Sequence, residues 1–229
     1  MGAMGAPANR TTERGLERFI FFTDAVTAVA ITLLVLPLVD AASEMSGTPE
    51  VWQFLLDNLG RLFAFALSFA LIGLFWVFHH RFSEQLVGYD GWLLWLNLGW
   101  MLTIVALPLS TELMDVDAGK STGAAIYIGN MLATSVFSIL MRWRCVARPA
   151  LVRDVAAARY GLAANVASGV LFALAMVIAL LVPEAGTWAL LSLFLAWPAQ
   201  YLVDRVMRVQ GSPRPTGAAP GAPRGDGTD

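Results

Sequence analysis

Residues 18–40 read RFIFFTDAVTAVAITLLVLPLVD. The stretch is long and apolar enough to span a bilayer, whose hydrocarbon core of about 30 Å takes about 20 helical residues. Yet it carries Thr23, Asp24, Thr27 and Thr32. An aspartate in hydrocarbon costs about 2.5–3.5 kcal/mol on insertion scales. Something must compensate that cost, and an intramembrane acid is by default a functional residue. The stretch reads as the wall of an ion pathway.

Working outward, the chain has 229 residues, 57% hydrophobic and 14% charged, with a mean hydropathy of +0.64. A soluble domain carries about 25% charged residues, so the missing charge points to a membrane-embedded chain. The net charge of −2 gives no global pull toward nucleic acid. One cysteine, Cys145, excludes an internal disulfide. Six stretches of spanning length follow one another at residues 16–38, 57–79, 91–112, 122–142, 160–182 and 186–207. None alternates polar and apolar as a membrane strand would, so the expected fold class is an all-α integral membrane bundle of six helices over residues 13–210. Residues 1–12 and the Gly/Pro-rich 211–229 are expected to be disordered.

Loop charges set the expected orientation. Arg10, Arg14, Arg18, Arg81, Arg142, Arg144, Arg148, Arg153, Arg159, Arg205, Arg208, Arg214 and Arg224 all fall on one side if there are six spans, while the opposite loops hold Asp40, Glu44, Glu50, Glu112, Asp115, Asp117 and Glu184 with Lys120 as their basic residue, and Arg61 lies near the outer end of the second span. The positive-inside rule then places both termini in the cytoplasm of a multi-pass protein in the cell (cytoplasmic) membrane. The Arg142–Arg159 stretch reads as a topology determinant in contact with anionic lipid.

On a helical wheel about Val29, Leu33 falls at about 40°, Leu36 at about −20°, Thr32 at about −60° and Phe22 at about 20°. Asp24 falls about 140° away. Either the stripe faces lipid and Asp24 a pathway, or the stripe lines a pathway and Asp24 is buried among helices. A Val/Leu stripe is ordinarily lipid or core contact. His79 and His80 are neighbours, about 100° apart on a helix, and poorly placed to share a metal; hydrogen bonding is the reading for them. No nucleophile triad, phosphate loop or catalytic carboxylate pair appears, so the chain reads as no enzyme.

Arg18-Phe19-Ile20-Phe21-Phe22-Thr23-Asp24 resembles the R-x-x-x-F-S-D signature of the transmembrane protein 175 family of potassium channels, with Thr23 where that family has Ser. The likeness continues through Ala25–Pro37, Trp76-Val77-Phe78-His79-His80-Arg81-Phe82, Leu94-Trp95-Leu96-Asn97-Leu98 and Ala106-Leu107-Pro108, and thins beyond residue 115. It implies a homotetramer around a central pore lined by the first helix. Val29 matches the first hydrophobic constriction, with Leu33 and Leu36 as further rings, and Thr32 matches a hydroxyl associated with potassium preference. Arg18, Phe22, Thr23, Asp24, His79 and Trp95 match a structural polar network, partly between subunits. Val29, smaller than the Ile or Leu usual there, implies a wider constriction. The implied partners are further copies of the chain, membrane lipid and permeant K+, with no cofactor and no nucleic acid. The alternatives are a proton-coupled transporter using Asp24, or a proton-permeable channel.

Overall fold

The structure is a computed structural model that describes residues 13–44, 50–116 and 121–181. The described chain is helical throughout. In order it forms α1 (Glu13–Leu33), α2 (Leu36–Ser43), α3 (Val51–Asp57), α4 (Leu59–Ser83), α5 (Gly91–Val116), α6 (Ser121–Ala147), a short 3-10 turn (Pro149–Leu151) and α7 (Val155–Leu181). Among the described residues, five helical segments are long and apolar enough to cross a membrane, with α1 and α2 counted as one. The sixth expected span, 186–207, lies outside the described residues, as do the expected disordered ends at 1–12 and 211–229.

The first span departs from expectation in one respect. It is not one helix over 16–38 but two, joined by a turn at Leu34–Val35. Pro37, near the start of α2, is the reason: its ring collides with the carbonyl four residues back, that of Leu33, and it has no N–H to offer there. The chain tightens before it, with Leu34 N–H reaching Ile31 O and Val35 N–H reaching Thr32 O, both at 3.4 Å. Leu36 therefore follows the turn and does not continue the wheel of α1. The later helices run past their expected ends, α4 to Ser83 and α6 to Ala147, and α7 starts at Val155. Basic residues such as Arg81, Arg142 and Arg144 thus belong to helices. Long cationic side chains are tolerated near helix ends because they reach the interface.

The core sits among α4, α5, α6 and α7. Trp100, Tyr127, Ile72, Leu93, Ile104 and Leu107 are fully buried there. In a bilayer, lipid is as apolar as leucine, so helices associate through close packing and interhelical hydrogen bonds. Both are present. Gly99 on α5 lies so close to the Phe137 ring of α6 that an added Cβ would overlap it. Ser68 Oγ of α4 bonds Thr111 Oγ1 of α5 at 2.8 Å and Tyr127 OH of α6 at 3.1 Å, tying three helices together. Asn130 Nδ2 of α6 donates to the Thr103 carbonyl of α5 at 3.0 Å.

At one end of the bundle, two loops are stitched to each other. Val87 N–H donates to Leu151 O and Arg153 N–H donates to Gln85 O, both at 2.9 Å. The α4–α5 and α6–α7 connections therefore share one end, as the charge pattern requires. Asp90 secures the same end. Its Oδ1 accepts the Leu93 N–H at 2.9 Å and so caps α5. Its Oδ2 accepts Arg144 Nε at 3.0 Å and Nη2 at 2.6 Å. Partial burial raises the Asp90 pKa, but the bonds from Arg144 and Leu93 and the charges of Arg144 and Arg148 outweigh it, leaving the carboxyl below its ordinary value.

Candidate functional site

Helix α1 has two unlike faces. Thr23, Thr27, Ala30 and Leu34 fall at i, i+4, i+7 and i+11 and are buried against the bundle. The threonines sit in an apolar environment because each hydroxyl is satisfied by its own helix: Thr23 Oγ1 donates to Phe19 O at 3.0 Å and Thr27 Oγ1 to Thr23 O at 2.9 Å. The opposite face carries Phe22, Val29, Thr32 and Leu33, all exposed, with Leu36 exposed beyond the turn. Phe22 is 57% and Val29 58% exposed, and Val29 is not among the described residues packed on the core. Thr32 Oγ1 donates its proton to Val29 O at 2.7 Å, which leaves the oxygen's lone pairs for whatever lies outside the helix. The Val29 stripe and Asp24 therefore face different surroundings.

Behind α1 lies a polar lattice. Asn97 Nδ2 of α5 donates to Thr23 Oγ1 at 2.7 Å. His79 Nε2 of α4 lies 2.7 Å from Asn97 Oδ1, and Ser83 Oγ lies 3.3 Å from His79 Nδ1. The direction of these bonds follows from the end on α1. The single proton of Thr23 goes to the Phe19 carbonyl, so its oxygen must accept from the amide nitrogen of Asn97. The amide oxygen then faces His79 and must accept, which puts the ring proton on Nε2. Asn97, Thr23 and His79 are all buried, and the His79 ring stacks on Trp100 at 4.2 Å. Asp24 is held separately: its Oδ1 accepts Trp76 Nε1–H of α4 at 2.8 Å. That bond answers the cost of a carboxylate within a span.

Of the residues expected in one network, Thr23 and His79 are brought together, through Asn97. Asp24 lies beside them with its own partner. Phe22 is on the outward face. Arg18 and Trp95 stand exposed outside the lattice, Trp95 at 70%. Trp95 precedes Asn97 by two residues, about 200° around the helix, so only one of the two can point inward. The residues that the sequence reading passed over are Asn97 and Trp76. Asn97 is the one carboxamide in α5, and a lone amide in a spanning helix is itself a signal of interhelical bonding. Arg142 of α6 adds a second support to α4. It is buried, its Nη2 donates to Phe78 O at 3.4 Å, and its guanidinium lies 5.1 Å over the Phe82 ring.

Comparison with known proteins bears on these same helices. Residues 18–108, the region of α1 to α5, match the family model described as endosomal/lysosomal potassium channel TMEM175. A protein of Streptomyces collinus named as a potassium channel is 30% identical over 126 residues, 53% of this chain and 60% of that one. Another so named, from a Chryseobacterium species, is 30% identical over 122 residues, 52% of this chain and 59% of that one. The matches thus span about three fifths of these relatives' length. In fold, the chain resembles the crystal structure of a lysosomal potassium-selective channel TMEM175 homolog from Chamaesiphon minutus, with a TM-score of 0.67, 20% identity, and coverage of 84% of this chain and 100% of that one. It also resembles a variant of the potassium channel MtTMEM175 in complex with a nanobody–MBP fusion protein, with a TM-score of 0.56, 18% identity, and coverage of 91% and 99%. The match to the TMEM175 family model is thus confined to residues 18–108, about two fifths of the chain, and the likeness to the two solved channels is one of fold.

Proposed function

We propose that this chain is one subunit of a moderately potassium-selective cation channel. In this reading it is a homotetramer in the cell membrane, with both termini cytoplasmic. The observation that carries the reading is the outward face of α1. Val29, Thr32 and Leu33, with Leu36 beyond the turn, turn away from the described core, on the span whose sequence matches the family model. Four such faces around an axis make a pore. Rings of Val29, Leu33 and Leu36 form an apolar constriction that gates by dewetting. Four Thr32 hydroxyl oxygens on the axis partly replace the hydration shell of an ion, and potassium sheds that shell more readily than sodium. Four hydroxyls are fewer oxygens than a dedicated carbonyl filter supplies, hence moderate selectivity. The lattice of Thr23, Asn97 and His79 holds α1 to α4 and α5 so that this face stays turned outward, and Trp76 does the same for Asp24. No catalytic step and no cofactor enter this reading, and K+ is its permeant ion.

The test is a liposome flux assay on purified protein under potassium or sodium gradients, with wild type beside Thr32→Ala and Val29→Asn. Potassium-preferring flux that loses its preference in Thr32→Ala and rises in Val29→Asn supports the reading. Absence of downhill cation flux in wild type and both variants overturns it, and leaves Asp24 to be tested as a carrier site by proton-coupled uptake.

A further inference from the structure

A narrow cleft of about 40 Å³ runs between α4 and the α6–α7 hairpin, with room for about three water-sized groups. Toward the stitched end its lining is polar: His79 of α4, Ser138 and Arg142 of α6, and Asn165 of α7. Toward the other end, Leu71 and the Phe75–Phe172 ring pair, centroids 6.1 Å apart, make it apolar. Among the described residues, α1 and α5 contribute nothing to this lining, so the faces expected to meet other subunits lie elsewhere. Arg142 is buried, and the Phe78 carbonyl, the Phe82 ring and Gly161 beside it are neutral. A buried cation carries a desolvation cost that an opposite charge answers best. The acids at this end of α4 to α7 are engaged: Glu84 with His80 at 3.6 Å, Asp90 with Arg144, and Asp154 with the first N–H groups of α7. Asp24 of α1 is held by Trp76. Arg81, Arg148, Arg153 and Arg159, all exposed, make the same end basic.

We propose that this cleft is the seat of the chain's own sixth expected span, residues 186–207, and that Asp204 is the counter-charge of Arg142. Connection length agrees. Only residues 182–185 separate the end of α7 from that span, and helices joined so briefly pack as antiparallel neighbours. Depth agrees as well. From Gly161, which abuts the Arg142 guanidinium, to Leu181 is 20 residues, about 30 Å of helix. Returning, residue 186 to Asp204 is 18 residues, about 27 Å as helix. The carboxylate thus comes back to the level of the guanidinium within one turn. Chemistry agrees too. Asp204 is the one acid in 186–207, and an acid within a span calls for a partner, as Asp24 does. Gln200, four residues before Asp204, shares its helical face. It falls level with Asn165, four residues after Gly161. Carboxylate then meets guanidinium, and amide meets amide one turn on. Size favours the same occupant, because the space admits the head of a side chain and not an acyl chain. The inference holds whether or not the chain conducts ions.

The test uses the full chain with Cys145→Ala, which removes its one native thiol, together with Asn165→Cys and Gln200→Cys. The protein is treated in lipid nanodiscs with a short bismaleimide, and the cross-link is located by peptide mass spectrometry in the monomer band of a denaturing gel. Arg142 and Asp204 stay in place, so this arm does not depend on how charge variants fold. Ala163→Cys with Gln200→Cys is the control, because Ala163 is exposed and about 200° around α7 from Asn165. A second arm compares melting in detergent of Arg142→Gln, Asp204→Asn and the double variant. A 165–200 cross-link is expected in the monomer band, with little from the control pair. Each single variant is expected to melt about 10 °C lower, and the double variant no lower than the worse single one, since one shared interaction is lost once. A 165–200 cross-link found only in the dimer band assigns the cleft to the sixth span of another copy and overturns the proposal. Absence of the cross-link from both bands, a control pair that links as well, single variants that melt like wild type, or losses that add in the double variant overturn it equally.

Discussion

Asn97 Nδ2 donates to Thr23 Oγ1 at 2.7 Å, and that bond joins α5 to α1 across 74 residues of sequence. Its other end, Asn97 Oδ1, takes the His79 ring. One amide thus fixes the rotation of the helix that carries Val29 and Thr32. Asn97→Leu is expected to leave both Thr23 and His79 short of a partner, at about 1–3 kcal/mol. Thermal unfolding in detergent measures it, and Thr23→Ser, which keeps the hydroxyl, is expected to lose less.

The Trp76–Asp24 bond makes a separate prediction. Trp76→Phe removes the donor and leaves the carboxylate facing a ring edge, a loss of about 1.5–3 kcal/mol for a bond to a charged group. Asp24→Ala is expected to reduce the yield of assembled oligomer more than it alters ion preference. Size-exclusion chromatography beside the flux assay separates the two, and a stable oligomer with changed preference would contradict the assigned role.

Glycines on α7 and α4 should respond in opposite directions. An added Cβ on Gly161 would overlap the Arg142 guanidinium, whereas Gly60 has open space around it. Gly161→Ala is expected to destabilise by about 1–3 kcal/mol. Gly60→Ala is expected to stabilise by about 0.5–1 kcal/mol, because alanine gives up less backbone freedom in a helix. Melting temperatures of the two variants, read in the same detergent, are the check.

Acid should loosen the loop end of the bundle. The Asp90 carboxyl is held below its ordinary value by Arg144 and the Leu93 N–H. A depressed carboxylate contributes stability that is complete above its unfolded value, 3.8, and is lost as pH falls through its lower folded value. Wild type should therefore lose about 1 kcal/mol, the upper end for a partly exposed pair, as pH falls below that unfolded value. Asp90→Asn should lack that part of the decline. Unfolding midpoints across pH 3 to 6 compare them.

Trp100 is expected to tolerate change despite complete burial. Its Nε1 has no hydrogen-bond partner among the described residues, while its ring stacks on His79. Trp100→Phe keeps a ring against His79 and removes a buried donor that gains nothing, so its cost in thermal unfolding should fall well below the about 3–5 kcal/mol of a large-to-alanine change.

Much of this was legible from residues 18–40 and the arginines. Spanning length, the polar residues in the first span and the shared end of the α4–α5 and α6–α7 loops follow from composition and spacing, and the signature around Thr23-Asp24 led to the family whose model matches residues 18–108. The partners inside the bundle were not legible to the same degree. The bonds of Asn97 are not visible in the sequence, because a wheel drawn for one helix gives no zero angle relative to its neighbours. The turn at Leu34–Val35 was hidden for a related reason: Pro37 signals a break, but hydropathy runs through it unchanged. Arg142 counts as a loop charge in the sequence, because a guanidinium seated on Phe82 and Gly161 is visible only once α4, α6 and α7 are packed.

The stitch between residues 85–87 and 151–153 has a consequence for how the chain enters the membrane. Its two halves emerge from the ribosome some 65 residues apart, with two spanning helices between them. They can meet only if both of those helices cross or neither does. A chain in which one of them fails to insert leaves its loops on opposite faces of the bilayer, with Asp90 and Arg144 stranded on different sides. The clasp can therefore close only on chains in which the two helices are threaded alike.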